Sequence, residues 1–392
     1  MFILLLSRGI PSKEHPQWGC FEKDQAEALA EFGHKVVSIS IDGRLRKKRG
    51  SLGLHHIENL NGVEYYNYVL PPSVLFTKVI GENFYRNHIR FRFIKKLLNK
   101  VITKHGNPDI IYSQFYWNSL DGLRLKDMIN VPLVTIEHLS LFNEDNIKNS
   151  VLKNAKKAFD ASDNLIVVSS SLGKALKTKL NVESQVVHNL YGPEFGKGNG
   201  FLHKKENNKF TFVSTASLIH RKGFDLLIKA LSNITIPRDK WKLNIVGWGS
   251  EKDNLLQLIK INNLSDNVFL LGKMDKLQIA EELRKSDVFV LPSRNENFSV
   301  AVLEALSMGL PVVASDVGGI KECLSDENGI IVPAENIDEL KKALVYIYDN
   351  YNKFDRAKIA EDCEVRFSSK AVAKKLTQIF EQTILSHNRI KI

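Results

Sequence analysis

The sequence predicts an α/β fold: two doubly wound parallel sheets in tandem, each with helices on both faces. Three observations predict it. Short apolar runs alternate with amphipathic helical stretches, the pattern of parallel strands joined by helical crossovers. The alternation breaks once, at about residues 189–209, where Asn189-Leu-Tyr-Gly-Pro-Glu-Phe-Gly-Lys-Gly-Asn-Gly carries four glycines and a proline. It then restarts, and a length of 392 residues, 43% of them apolar, suffices for two ordinary cores.

Taken in order, the first domain opens on the apolar run Phe2–Leu6. A helix over Phe21–Phe32 follows, stopped by Gly33, and then the strand Lys35–Ile41. Apolar runs return at Asp109–Ser113, Leu133–Glu137 and Leu165–Ser169. After the break, Phe210–Ser214, Lys242–Val246, Val268–Leu271, Val288–Leu291 and Val312–Ala314 read as strands, with helices between them. A last helix covers about Lys370–Leu385. The expected division is residues 1–190, residues 191–370, and a closing helical segment 371–392 able to pack back on the first domain. Ligands of such Rossmann-like sheets sit beyond the carboxyl ends of the strands. The expected site is therefore a cleft between two facing domains, with the glycine-rich run near 192–200 as the hinge for closure.

The bulk chemistry narrows the partners. There are 55 basic and 44 acidic residues, a formal charge of +11. That balance suits phosphorylated ligands, an acidic membrane surface or nucleic acid; with no nucleic-acid module in view, no nucleic-acid partner is expected. Cys20, Cys323 and Cys363 lie far apart with no C-x-x-C pair, which argues against a zinc site or a disulfide framework and fits a reducing compartment. The opening MFILLLSRGIP is too short, and lacks the basic start, for a signal peptide. No apolar stretch approaches the ~20 residues of a membrane span. A cytoplasmic protein is expected, at most peripheral on the inner face of the plasma membrane. Arg86–Lys104 holds seven Lys/Arg and no acid, with Ile89, Phe93, Leu97 and Val101 recurring every four residues. Two readings stand. Either its apolar stripe packs on the core, or the helix touches an anionic bilayer. A second basic cluster, Arg44, Arg46, Lys47, Lys48 and Arg49, falls in an expected loop.

The chemistry concentrates between Ser293 and Glu322. The strand Val288–Leu291 ends in a polar loop, a helix begins near Ser299, a residue suited to an N-cap, and Gly309 and Pro311 stop it. A strand end feeding a helix N-terminus is an anion site, with free N–H groups and a favourable dipole. Glu296 lies before the helix and Glu304 inside it, eight positions on. Carboxylates beside a phosphate site are costly unless they hold hydroxyl donors, which a ribose supplies. Asp316-Val-Gly-Gly-Ile forms a second turn where backbone can approach a ligand.

This ordered string, E-x7-E, a small-residue helix, G-x-P-V-V-A-S and a G-G-x-x-E turn through Gly318, Gly319 and Glu322, resembles the signature of the large family 4 of retaining GT-B glycosyltransferases. The resemblance implies that Glu304 holds the donor ribose, Glu296 lies at the donor sugar, and the backbone of Phe298, Ser299 and Val300 binds the diphosphate. Lys222 and Gly223 match the family's loop over the donor phosphates, where a lysine neutralises the departing diphosphate. Many members carry an arginine five residues earlier. Ser217 stands there, and Arg221 is the candidate replacement. Gly247, in Val246-Gly-Trp-Gly, matches a glycine turn, and Gly272, Lys273 and Met274 match the turn around the nucleobase. In the first domain Gly19 matches the glycine of the opening loop, and His138 the active-site histidine that contacts the sugar. His34 reads as structural, and Glu137 has no family role to carry over.

The resemblance implies transfer with retention from a nucleotide-diphosphate sugar, UDP-sugars being the commonest choice, to a glycan or lipid-linked glycan of bacterial surface polysaccharide synthesis. No D-x-D occurs in the chain, so neither a metal nor any other cofactor is expected. Rival readings are a sugar-nucleotide epimerase on a similar scaffold, a phosphorylase, a dinucleotide oxidoreductase and a basic binding module without catalysis. A phosphorylase needs a lysine-bound pyridoxal phosphate, for which no motif is visible. An oxidoreductase needs G-x-G-x-x-G after an early strand, where Ser-Arg-Gly-Ile-Pro stands instead.

Overall fold

The computed structural model describes residues 1–11, 18–43, 52–71, 77, 80–81, 84–196 and 209–389. The basic cluster Arg44–Arg49 and the stretch 197–200 of the expected hinge lie outside the described residues. The chain forms two compact units. One comprises Met1–Val168, Gly173–Val187 and Val372–Ile392, and the other Ser169–Leu172 and His188–Ala371.

The first unit is built on an eight-stranded sheet of order β3-β4-β2-β1-β5-β6-β7-β8. The strands are β1 (Phe2–Ser7), β2 (Lys35–Asp42), β3 (Gly53–Leu60), β4 (Val63–Val69), β5 (Ile110–Gln114), β6 (Leu133–Glu137), β7 (Asn164–Val167) and β8 (Gln185–Val186). All pairings are parallel except β3 with β4. β1, β5 and β6 are buried along their whole length, as expected of strands covered on both faces. The helices are α1 (Cys20–Glu31), α2 (Phe91–His105), α3 (Tyr116–Ile129), α4 (Asn149–Asp160), α5 (Ser170–Leu180) and, from the far end of the chain, α12 (Ser369–Arg389). His34 is structural: its Nε2 lies 2.7 Å from Thr377 Oγ1 on α12, and Tyr112 packs on Phe380 of the same helix at 4.9 Å.

The β3–β4 hairpin was not among the expected strands, and neither were the short strands β8 and β14. β3 reads Gly-Leu-His-His-Ile-Glu-Asn-Leu, too polar for an apolar run, because it is an edge strand with most side chains in water. A signal was nonetheless present. Asn61-Gly62 takes left-handed backbone at both residues, φ 53° and 82°, as a two-residue hairpin turn requires. The basic segment resolves toward the first of its two readings. Half of the expected stripe is buried: Leu97 and Val101 lie with Ile94 and Leu98 of α2 in one core cluster with Leu4, Leu6 and Ile39, and Ile89 and Phe93 pack against that cluster partly buried. The apolar side of α2 thus faces the core, with Phe93 and Ile102 partly exposed at its margin. Arg92, Lys95, Lys96 and Lys100 stay exposed, while Lys104 pairs with Glu64 at 2.8 Å.

The second unit carries six parallel strands in the order β11-β10-β9-β12-β13-β14. They are β9 (Phe210–Thr215), β10 (Trp241–Val246), β11 (Val268–Gly272), β12 (Val288–Leu291), β13 (Val312–Ser315) and β14 (Gly329–Val332). Between them lie α6 (Phe224–Ser232), α7 (Lys252–Ile261), α8 (Lys276–Arg284) and α9 (Val300–Ser307), with α10 (Ile337–Asp349) and α11 (Arg356–Phe367) after β14. Trp241, Phe212, Leu227, Val288 and Leu344 anchor the core. Strand order reverses at β1/β5 in one sheet and at β9/β12 in the other. The crevices at these switch points are where such sheets bind ligands.

Candidate active site

In the second unit two loops flank the switch point, one after β9 and one after β12. The first turns through a single 3-10 turn, His220–Lys222, into α6. The second runs from Pro292 to Ser299 and opens α9. Lys222 Nζ and Ser293 Oγ both meet Glu296 Oε1, the serine at 2.8 Å, and Glu296 is itself buried. Lys222 and Glu296, 74 residues apart, are thus brought into contact.

Arg294 fastens the two loops together, and sequence reasoning missed it. Its guanidinium grips Asp225 with two hydrogen bonds of 2.8 Å, reaches Glu335 at 2.9 Å and donates to the His220 carbonyl at 2.7 Å. Its own N–H donates to the Arg221 carbonyl at 2.8 Å. Burial would raise the Asp225 carboxyl, but the guanidinium more than offsets this and holds it below the usual range. Such a bidentate fork fixes geometry as well as charge. The signal was an arginine inside the signature itself. The Arg221 side chain is half-buried.

Ser299 is the N-cap residue of α9, in extended backbone, but its hydroxyl makes no capping bond. The first N–H groups of that helix are therefore not capped by its own side chain. Phe298 and Ser299 are buried and Val300 is half-buried; Glu304 is half-buried in mid-helix. The turn after β13 braces this loop. A Cβ on Gly318, at φ +56°, would lie 2.0 Å from the Glu296 carbonyl oxygen, and one on Gly319 would lie 2.6 Å from that of Asn297. Only glycine lets the two backbones touch here. Gly247, after β10, donates to the Gly272 carbonyl at 2.8 Å, so the turns after β10 and β11 close on each other. Lys273 is exposed and Met274 half-buried in the connection to α8, whose N-cap Asp275 forms a capping box with Gln278.

In the first unit the loops after β1, β5 and β6 converge. Gly19 caps α1 and packs on the Gly9 carbonyl. His138 follows β6, its Nε2 2.7 Å from Gln114 Oε1 and its ring 5.0 Å from that of Phe115. Phe115 is a buried non-glycine residue at φ +68°, backbone strain held at the carboxyl end of β5. Arg8 lies over its ring at 4.4 Å and pairs with Glu22 at 2.6 Å. Glu137 is fully buried and ties two loops together: it accepts from the N–H groups of Tyr116, His138 and Leu139 at 3.0, 2.7 and 2.9 Å.

Comparison with known proteins gives the family and the fold. A family described as Glycosyltransferase Family 4 matches residues 23–195, and one described as Glycosyl transferases group 1 matches residues 201–362. The chain belongs to glycosyltransferase family 4. It is a retaining hexosyltransferase by family and uses a nucleotide sugar as donor. An uncharacterised glycosyltransferase of Methanocaldococcus jannaschii is 27% identical over 316 residues, 75% of this chain and 84% of that protein. A human protein, one of the components of phosphatidylinositol N-acetylglucosaminyltransferase, is 27% identical over 331 residues, 81% of this chain but 63% of that longer protein. Among solved structures, HepE of Anabaena in complex with UDP superposes with a TM-score of 0.71 at 19% identity, over 97% of this chain and 99% of that one. At that identity the likeness establishes the GT-B fold. Among the described residues of the glycosyltransferase no helix is long and apolar enough to cross a membrane.

Proposed function

We propose that this glycosyltransferase moves a sugar from a UDP-sugar to a glycan or lipid-linked glycan in surface polysaccharide assembly. The observation that carries the reading is the meeting of Lys222, Glu296 and the start of α9 at the β9/β12 switch point. A diphosphate seated there receives the N–H groups of Phe298–Val300, the positive end of the helix and the Lys222 ammonium. Glu304 takes the ribose hydroxyls, Glu296 the donor sugar, Gly247 and Gly272–Met274 line the nucleobase end, and Arg221 adds a cation. Gly19 and His138 of the first unit are assigned to sugar contact. In the reaction the acceptor oxygen bonds to the anomeric carbon as the bond to the diphosphate breaks. The acceptor proton passes to a diphosphate oxygen, and the configuration is retained. The enzyme supplies position and charge stabilisation, with Lys222 and the helix N-terminus in the place a metal takes elsewhere.

Support for UDP comes from HepE, whose structure holds it. A lipid-borne acceptor draws support from the relative named for phosphatidylinositol and from the exposed basic face of α2, suited to an anionic membrane surface on the cytoplasmic side. The test is a thermal-shift panel of UDP, GDP and ADP on the wild type, Glu304→Ala and Lys222→Ala. At about 100 times its dissociation constant a ligand adds about 2.7 kcal/mol of stability. UDP should shift the wild type clearly and both variants little. A shift by GDP or ADP alone would replace the donor, and no shift by any of the three would remove the site assignment.

A further inference from the structure

Three residues that the reaction above leaves idle converge on its phosphate-binding backbone. They are Glu322, which closes the G-G-x-x-E turn, and His188 and Asn189, the first residues of the second unit after the chain leaves β8. Asn189 is buried, and its Nδ2 donates to the Phe298 carbonyl at 3.2 Å. A carbonyl only accepts, so the orientation of that amide is fixed. The His188 ring lies on the Phe298 ring, centroids 4.5 Å apart and planes within 17°. Glu322 Oε2 accepts from His188 Nε2 at 3.0 Å, and the same carboxylate accepts from the Ser170 N–H at 2.8 Å and the Ser170 hydroxyl at 3.0 Å. Burial would raise the Glu322 carboxyl; these donors more than offset it and hold it below the usual range.

The geometry points to His188, Asn189 and Glu322 as positioning residues for the diphosphate-binding backbone. A trans peptide is planar, with its C=O and the following N–H pointing in opposite directions. Asn189 pins the Phe298 carbonyl, so the Ser299 N–H is aimed the other way. The Gly319 N–H donates to the Asn297 carbonyl at 2.6 Å and aims the Phe298 N–H in the same manner. Two successive amides are thereby set in direction before any ligand arrives, which is the condition for strong stabilisation of anionic charge. His188 keeps the Phe298 ring from turning, and Glu322 keeps His188 in place. The proposal rests on the reading that this backbone binds a diphosphate.

Two measurements separate it from that reading. The first needs no ligand: hydrogen exchange, in the full chain, of the Gly319 and Leu303 N–H groups, which donate to the Asn297 and Ser299 carbonyls. Asn189→Asp, of the same shape but unable to donate, should exchange there at least about tenfold faster. His188→Ala should do the same, and His188→Phe, which restores the stack, should bring protection back. Unchanged exchange in Asn189→Asp would overturn the proposal. The second is titration of UDP, GDP and ADP against the matching nucleosides. The Asn189→Asp variant should lose about tenfold in diphosphate affinity and none toward the nucleoside. Equal losses for both would also overturn it, by pointing to a general collapse of the site. If the wild type binds none of the three diphosphates, the donor reading falls, and hydrogen exchange alone decides the positioning.

Discussion

Glu137 is a carboxylate without solvent, surrounded by three backbone N–H groups. Burial pushes it up to about 7, against the pull of those donors and the charge of Arg8. The folded protein therefore keeps a proton there that the unfolded chain has released above its usual value of 4.5. Its stabilising contribution is complete below that value and is lost as pH rises from there through about 7, an effect of about 3 kcal/mol. Glu137→Gln cannot ionise. The melting temperature of the variant relative to the wild type should climb between about pH 5 and about pH 8, and a constant offset across that range would show Glu137 to be ionised throughout. Glu137 was legible as an acid ending an apolar strand, but its partners were not. Two of them, the N–H groups of His138 and Leu139, are neighbours in sequence, whereas Tyr116 comes from another strand's loop. The same limit hid Asn189, which a sequence reader places in a linker because its partner, Phe298, lies 109 positions on.

At the scale of elements, the stretch from Ser293 to Glu322 was the most legible. There the residue types answer to contacts between loops adjacent in the fold, and glycines mark where backbones touch. Gly318→Ala tests this. Its Cβ would meet the Glu296 carbonyl oxygen at 2.0 Å, so the turn or the donor loop must move. About 2 kcal/mol or more of stability should be lost, together with most nucleotide binding; denaturant unfolding and UDP titration unaffected by the change would show that the turn yields without cost. Ten of the parallel strands were legible from their apolar runs, with ends displaced by a residue or two, but β8, of two residues, and β14, of four opening on a glycine, were too short to read as runs. The β3–β4 hairpin was not: β3 is an edge strand mostly in water without an apolar run, β4 breaks its valines and tyrosines with Glu64 and Asn67, and only the Asn61-Gly62 turn betrays the pair. The basic helix α2 shows a further limit. Its periodicity announced an apolar stripe, but periodicity is the same whether the stripe meets a core or a bilayer, and only the packing against Leu4 and Leu6 decided it.

For the whole molecule, the charge of +11 and the exposed Arg92, Lys95, Lys96 and Lys100 offer an electrostatic route to an anionic membrane. Flotation with vesicles containing anionic lipid should carry the protein at low salt and release it near physiological ionic strength, where the screening length is about 8 Å. Retention at high salt would mean that apolar insertion contributes, and absence from the vesicle fraction at low salt would remove the membrane from the reading. The compact units are not consecutive stretches of chain: α12 belongs with the first unit, through the His34–Thr377 bond and the Tyr112–Phe380 contact. This has a consequence for biosynthesis. A growing chain emerges at roughly 5–20 residues per second, and domains generally fold in the order they appear. Here the half made first cannot complete its packing until residues 372–389 have left the ribosome, by which time the whole second sheet has been made. During that interval the surface around Tyr112 that awaits Phe380 is open, so the nascent first half is the stage at which a chaperone would find something to hold.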